Sequence, residues 1–242
     1  MSSANQQTLV LIKPDALRNS LTGYVLSLLS EFHTGLRFAA TKIVRVHTLL
    51  AGQHYAEHQG KVFYASLIDY ITGRIHYSHE PEKQRVIAIV YQGENAVNTI
   101  REIAGPTNPH QARDERPGCI RSLGTLVPFY DKNGSEAGTR MENLIHASAS
   151  VAEAEREIKL WFRPNDIPPS MRIYPTVCST EHFYFKDNRL GTTHEPGTVC
   201  LVAPGDSVWQ SDYEILESTL QADGVSDAIG LVAAKYLINE AE

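Results

Sequence analysis

The run Arg85-Val86-Ile87-Ala88-Ile89-Val90-Tyr91 is almost without polar interruption, which reads as a β-strand buried on both faces. A first strand comes much earlier, at Thr8-Leu9-Val10-Leu11-Ile12, and Pro14 closes it because proline has no N–H to give a ladder. Between the two, Leu21, Tyr24, Val25, Leu28, Leu29 and Phe32 form the apolar stripe of an amphipathic helix, with Gly35 as its C-cap. Phe38 through His47 is rich in β-branched residues and reads as another strand, giving a βαβ start. Leu50 to Gly73 reads as two short helices broken at Gly60, and Asn95 to Ala104 as a helix capped by Asn95 and stopped by Gly105.

Gly105 to Gly124, with Pro106, Pro109 and Pro117, reads as a long loop carrying Arg113, Arg116 and Arg121. Loops of that length in a compact domain usually carry function. Asp131-Lys132-Asn133-Gly134 is a turn signal between Leu126–Phe129 and Gly138–Arg140, so a hairpin is expected there. Pro164-Asn165-Asp166-Ile167-Pro168-Pro169 reads as a linker. Beyond it, strands are expected at Tyr184–Leu190 and Thr198–Ala203, and helices at Asp212–Leu220 and Ser226–Glu240. No fixed-period repeat is present.

The chain has 242 residues, 42% of them hydrophobic, enough for a sizeable core. Its net charge of −6 gives no general attraction to nucleic acid or acidic membranes, so an anionic ligand must be held by a local group of cations. Cys119, Cys178 and Cys200 are an odd, widely spaced set, which argues against a disulfide framework or a zinc site. Met1 to Gln7 lacks a basic signal-peptide start, and Leu9 to Ile12 is too short to span a membrane. A cytoplasmic protein is the expectation.

The chemistry concentrates in Asn143-Leu144-Ile145-His146-Ala147-Ser148-Ala149-Ser150. Leu144 and Ile145 can form a buried strand and Ser148 or Ser150 can cap a helix carrying Val151, Ala154, Glu157, Ile158 and Trp161, which sets His146 at a strand-to-helix junction. A neutral imidazole there is a competent nucleophile for carrying a phosphoryl group, although a lone histidine in a capped turn is more often structural. Lys13 at its strand end is either a solvated edge charge or a phosphate ligand, and Tyr55 and Phe63, taken alone, read as packing residues.

Six motifs in order decide between these readings. They are Ile12-Lys13-Pro14-Asp15; His54-Tyr55 through Phe63; Gly93-Glu94-Asn95-Ala96-Val97; Arg101 with Gly105-Pro106-Thr107-Asn108-Pro109; Pro117-Gly118-Cys119-Ile120-Arg121; and Asn143 to Ser150 followed by Glu157-Ile158-Lys159-Leu160-Trp161-Phe162. In them the chain closely resembles the nucleoside diphosphate kinases over residues 8–162, with extra residues near 111–116 and 122–140. The resemblance implies an α+β, ferredoxin-like domain whose four-stranded antiparallel sheet carries helices. It also implies ping-pong transfer of the γ-phosphoryl of a nucleoside triphosphate to a nucleoside diphosphate through phosphohistidine at His146. By the same resemblance Arg101, Arg121, Thr107 and Tyr55 serve the phosphates, Lys13 and Asn143 meet the ribose hydroxyls and neighbouring phosphate, Glu157 with Ser148 holds the His146 ring, and Phe63 stacks on the base. Mg²⁺ is expected on the nucleotide phosphates with no protein ligand, and a homo-oligomer is expected, without membrane or specific nucleic-acid partners.

The sequence departs from the family in reading His-Ala-Ser-Ala, at His146 to Ala149, where His-Gly-Ser-Asp is usual. Ala147 matters only if that backbone needs positive φ. The two alanines motivate one alternative, a nucleotide-binding regulatory or scaffold protein with impaired turnover. Residues 1–163 are expected to form the kinase domain and 164–242 a small mixed α/β C-terminal extension. That extension is expected to dock on the kinase domain and shape assembly, with its helix near Ile229 to Leu237 packed on another surface.

Overall fold

The computed structural model describes residues 5–130, 133–226 and 228–238. The chain divides into two compact units, Met1–Ile158 and Lys159–Glu242.

In the first unit, β1 (Asn5–Ile12) ends where Pro14 opens the short helix α1 (Pro14–Arg18), so the proline both stops the ladder and starts a helix. The predicted amphipathic helix is two pieces, α2 (Thr22–Leu28) and α3 (Glu31–Thr34), because Ser30 takes extended backbone and caps the second with its side chain. Phe32 therefore leaves the apolar stripe and stands fully exposed. Gly35 ends α3 at φ +68°. After β2 (Arg37–Val44) come α4 (Thr48–His54) and α5 (Tyr64–Ile71), then β3 (Val86–Glu94) and α6 (Ala96–Ala104). Asn95 is in the left-handed region at φ +52° and makes no side-chain cap; the Val97 N–H finds Gln6 Oε1 instead.

The expected loop of residues 105–124 contains a helix, α7 (Pro109–Glu115). Asn108 Oδ1 caps it and Pro109 occupies its first turn, so a proline that resembles a loop marker is a helix start. The hairpin is β4 (Thr125–Tyr130) with β5 (Glu136–Glu142); the tip signal at Asp131-Lys132 lies outside the described residues. β6 (Ile145–Ala147) and α8 (Val151–Trp161) follow.

The main sheet has the order β2-β3-β1-β6, antiparallel throughout. β1 and β2 are thus separated by β3, which turns the βαβ start into the split arrangement of a ferredoxin-like fold. β1 and β3 are interior, and Leu9 to Ile12 and Ala88 to Tyr91 are buried on both faces. Val10, Ile12, Ile89, Tyr91, Ile145 and Ala147 pack with Val25, Leu29, Ile100 and Ala104 into the core on the helical side. Packing of this kind contributes about 1.5–3 kcal/mol per large buried aliphatic side chain.

The second unit holds β7 (Thr176–Cys178), β8 (Phe183–Lys186), β9 (Arg189–Gly191), β10 (Val199–Val202) and β11 (Ser207–Trp209) with α9 (Gln210–Gln221) and α10 (Ile229–Ile238). The strands pair as β10-β8-β9 and β11-β7. Of the expected helix Ser226–Glu240, Asp227 and the end beyond Ile238 lie outside the described residues. The unit has its own core of Phe183, Leu190, Leu201, Val202, Val208, Leu216, Ile229, Val232, Ala233 and Tyr236, so α10 packs its buried face within this unit. Leu231 is exposed. The expected linker is folded too: Pro164–Asp166 and Pro169–Met171 are single 3₁₀ turns, and Ile167 between them is fully buried.

Candidate active site

Strand alternation sets where His146 points. Along β6, Ile145 and Ala147 point into the core, so His146, between them and paired with Leu11, points to the opposite face of the sheet. Ala147 is a regular strand residue without positive φ, so alanine is accommodated there. The residue that carries the unusual backbone is Leu144, at φ +69° although not glycine. The turn at the end of β1 holds it: Leu144 N–H donates to Asp15 Oδ2 at 2.9 Å, and its carbonyl accepts from Lys13 N–H at 2.8 Å. Its side chain is buried in the core as well.

His146 Nε2 lies 3.0 Å from Glu157 Oε2, two turns into α8. Ser148 Oγ donates to the same oxygen at 2.6 Å, while Ser150 performs the cap, its hydroxyl accepting from Glu153 N–H at 3.1 Å. A carboxylate on Nε2 fixes the tautomer with the proton on that nitrogen and leaves Nδ1 with a lone pair. Burial, followed by the charges of Lys13, Arg121, Arg156 and Arg101, holds the His146 pKa well below its ordinary value, which keeps the ring neutral. Burial pushes the Glu157 carboxyl up.

Opposite the ring, Lys13 Nζ donates to Asn143 Oδ1 at 2.6 Å and Asn143 Nδ2 donates to the Thr107 carbonyl at 2.8 Å. Burial brings Lys13 down to about 7. Arg121 donates to the Gly105 carbonyl at 2.9 Å and reaches Thr107 Oγ1 at 3.5 Å and the Ile145 carbonyl at 3.4 Å. Burial and the neighbouring Arg101 lower Arg121 to about 10. Gly105 is required here, at φ +81°, because a Cβ on it would stand 2.2 Å from Cys119 Sγ. Tyr55 is buried with its phenol pKa raised by burial, and Phe63 stands exposed beside His58, ring centroids 5.5 Å apart.

These groups line one cleft of about 380 Å³, in which Lys13, Tyr55, Phe63, Arg101, Thr107, Arg121, Asn143, His146 and Glu157 meet. Ser148 is fully buried behind it. Four residues to which the sequence assigns no role also line it. His54 is buried with its ring 4.4 Å from that of His146, and Arg156 donates to the Gln53 and His54 carbonyls at 3.3 and 3.4 Å. His58 and Arg140 line the wall toward Phe63. His54 stands within the quoted His54-Tyr55 motif, the one signal that could have found it.

The family model for nucleoside diphosphate kinase matches residues 6–167. The chain belongs to the nucleoside diphosphate kinase family. It is 38% identical over 162 residues to the nucleoside diphosphate kinase of Pyrococcus furiosus, covering 67% of this chain and 86% of that one. It is 40% identical over 163 residues to the enzyme of Staphylococcus aureus, covering 67% and 91%. Among solved structures, a transition-state mimic of the Borrelia burgdorferi kinase with bound vanadate and ADP superposes with a TM-score of 0.53 at 30% identity, covering 70% of this chain and 94% of that one. The activity of this kinase is phosphoryl transfer from a nucleoside triphosphate to a nucleoside diphosphate. The four-stranded sheet with its helices is the family's fold, and the second unit adds further sheets and helices to it. Among the described residues no helix is long and apolar enough to cross a membrane.

Proposed function

We propose that His146 is the phosphoryl carrier of this kinase. Its Nδ1 lone pair attacks the γ-phosphorus as the bond to the β-phosphate oxygen breaks; the nucleoside diphosphate leaves, and a second diphosphate takes the group by the reverse step. The observation that carries this reading is the His146 Nε2 to Glu157 contact of 3.0 Å, which commits the other nitrogen to the substrate. Phosphoryl transfer needs mainly position and charge neutralisation, and Lys13, Arg101 and Arg121 supply cations while Thr107 and Tyr55 supply hydroxyls. Asn143 and Lys13 meet the ribose and its nearest phosphate. Phe63 stacks on the base, a contact indifferent to base identity, so a broad range of nucleosides is accepted.

Mg²⁺ enters as part of the nucleotide substrate. It takes oxygen ligands in octahedral geometry and keeps water. The carboxylate nearest the reacting ring, Glu157, is engaged by His146 and Ser148, and Asp15 is engaged by Leu144, so the phosphates are the ion's natural ligands. We read the enzyme as cytoplasmic and as a homo-oligomer; for the second, the edge strand β2, whose Ile43 is 60% exposed, offers a surface for a subunit contact. Incubation with γ-labelled ATP is expected to leave acid-labile, base-stable label on the wild-type chain and none on His146→Ala of unchanged fold. Label on that variant would overturn the assignment.

A further inference from the structure

The three groups around the nucleophile are also a set of metal donors. His54 Nδ1 is 3.9 Å from Glu157 Oε1, His146 Nε2 is 3.0 Å from Glu157 Oε2, and one donor atom from each residue lies within 4.8 Å of the other two. His54 and Glu157 are buried and His146 opens to the cleft. An ion bonded at about 2.0–2.2 Å needs tetrahedral donors about 3.4 Å apart, so small side-chain shifts close the set. Two imidazoles and a carboxylate suit Zn²⁺, Cu²⁺ or Ni²⁺ and do not suit Mg²⁺, which selects oxygen. The carboxylate is already oriented, by Ser148 Oγ at 2.6 Å and by Arg156 at 3.8 Å. Three protein ligands leave a fourth coordination position for water.

We infer that His54, His146 and Glu157 form an inhibitory site for a divalent transition metal, in which the ion replaces the proton between His146 Nε2 and Glu157. The imidazole keeps its one proton, which moves from Nε2 to Nδ1, and no other bond changes. A proton on Nδ1 removes the lone pair that attacks phosphorus. The inhibitory consequence rests on His146 Nδ1 being the nucleophile; the metal site itself does not.

The test uses the full chain and Co²⁺ as the probe, titrated without nucleotide. Visible d–d bands of a tetrahedral site, saturating at one ion per chain, are expected, and Zn²⁺ should bleach them. In the wild-type chain, Zn²⁺ should shift the ring ¹⁵N signals of both His54 and His146, a measurement that needs no variant. His54→Gln should weaken Co²⁺ binding at least tenfold and raise by a similar factor the Zn²⁺ concentration that halves His146 labelling by MgATP. Absence of the bands, ring shifts confined to other histidines, or inhibition unaltered in His54→Gln would each overturn the site. Metal bound at His54 and His146 with labelling undiminished would leave the site standing and overturn Nδ1 as the nucleophile.

Discussion

Ser148 donates its hydroxyl to the Glu157 oxygen that also receives the His146 ring, at 2.6 Å against 3.0 Å. Ser148 Oγ in turn accepts from the Leu9 N–H at 3.1 Å, so one hydroxyl ties the interior strand β1 to the carboxylate that contacts the His146 ring. Removing it leaves a buried N–H unpaired and frees the carboxylate to rotate. Ser148→Ala is expected to slow single-turnover phosphorylation of His146 by roughly 5- to 30-fold, about 1–2 kcal/mol in the barrier, with nucleotide affinity nearly unchanged. An unaltered rate would remove Ser148 from the positioning of His146.

Lys13 offers a test by proton counting. Its folded-state pKa is depressed from 10.5 to about 7, chiefly by burial, so near pH 8.5 the free enzyme carries it largely uncharged. A bound phosphate restores the advantage of the ammonium, so MgATP binding at that pH should take up a fraction of a proton. Calorimetry in two buffers of different ionisation enthalpy reads it directly, and Lys13→Met should abolish the difference. The same shift fixes the sign of its stability effect. Between pH 7 and 10.5 the unfolded chain binds more protons at this site, so its contribution to stability rises with pH across that window and is least favourable below it. Buffer-independent binding enthalpies at pH 8.5 would mean that the lysine stays charged in the free cleft.

Asp15 is expected to matter for folding before chemistry. It holds the Leu144 N–H at φ +69°, and its removal leaves that buried donor unpaired beside a strained residue. Asp15→Ala should lower the denaturant midpoint by an amount equivalent to about 2–4 kcal/mol with an unchanged m-value, and lower the transfer rate through the displaced β6 strand. A midpoint shift under about 0.5 kcal/mol would show that the core around Leu144 holds the turn unaided.

The readable parts of this chain are those where a local rule and the tertiary structure agree. β1 and β3 are buried on both faces, so their sequences are apolar without alternation, and Gly35 and Gly105 mark helix ends because only they take positive φ cheaply there. The failures have particular causes. Pro109 looks like a loop residue unless Asn108 is read with it as a cap, and the stripe ending at Phe32 continues on paper through Ser30, where the backbone leaves the helix. The short strands β7 and β11 have three residues each, too few for periodicity to register. At the site, nine of the ten expected residues line the cleft with Ser148 buried behind it, while His54 and Arg156, to which the sequence assigns no role, line it as well. Their places depend on approaches of α4 to β6 and α8, about a hundred residues away in the chain.

The second unit supplies the last prediction. Among the described residues, those lining the cleft all fall between Lys13 and Glu157, so the extension is expected to contribute stability and assembly and no catalytic group. Within this unit, Trp209 Nε1 donates to the Phe162 carbonyl at 2.9 Å, and Arg163 stacks over the Tyr236 ring at 5.2 Å. A chain ending at Arg163 would keep Trp161 and Phe162, both buried in the full protein, without the residues from 164 onward. Large aromatics laid open in this way promote association. Such a chain should lose solubility or change its sedimentation while keeping measurable transfer per folded molecule. A truncated protein that is soluble, folded and of unchanged subunit number, yet inactive, would show that a group from the extension takes part in the reaction.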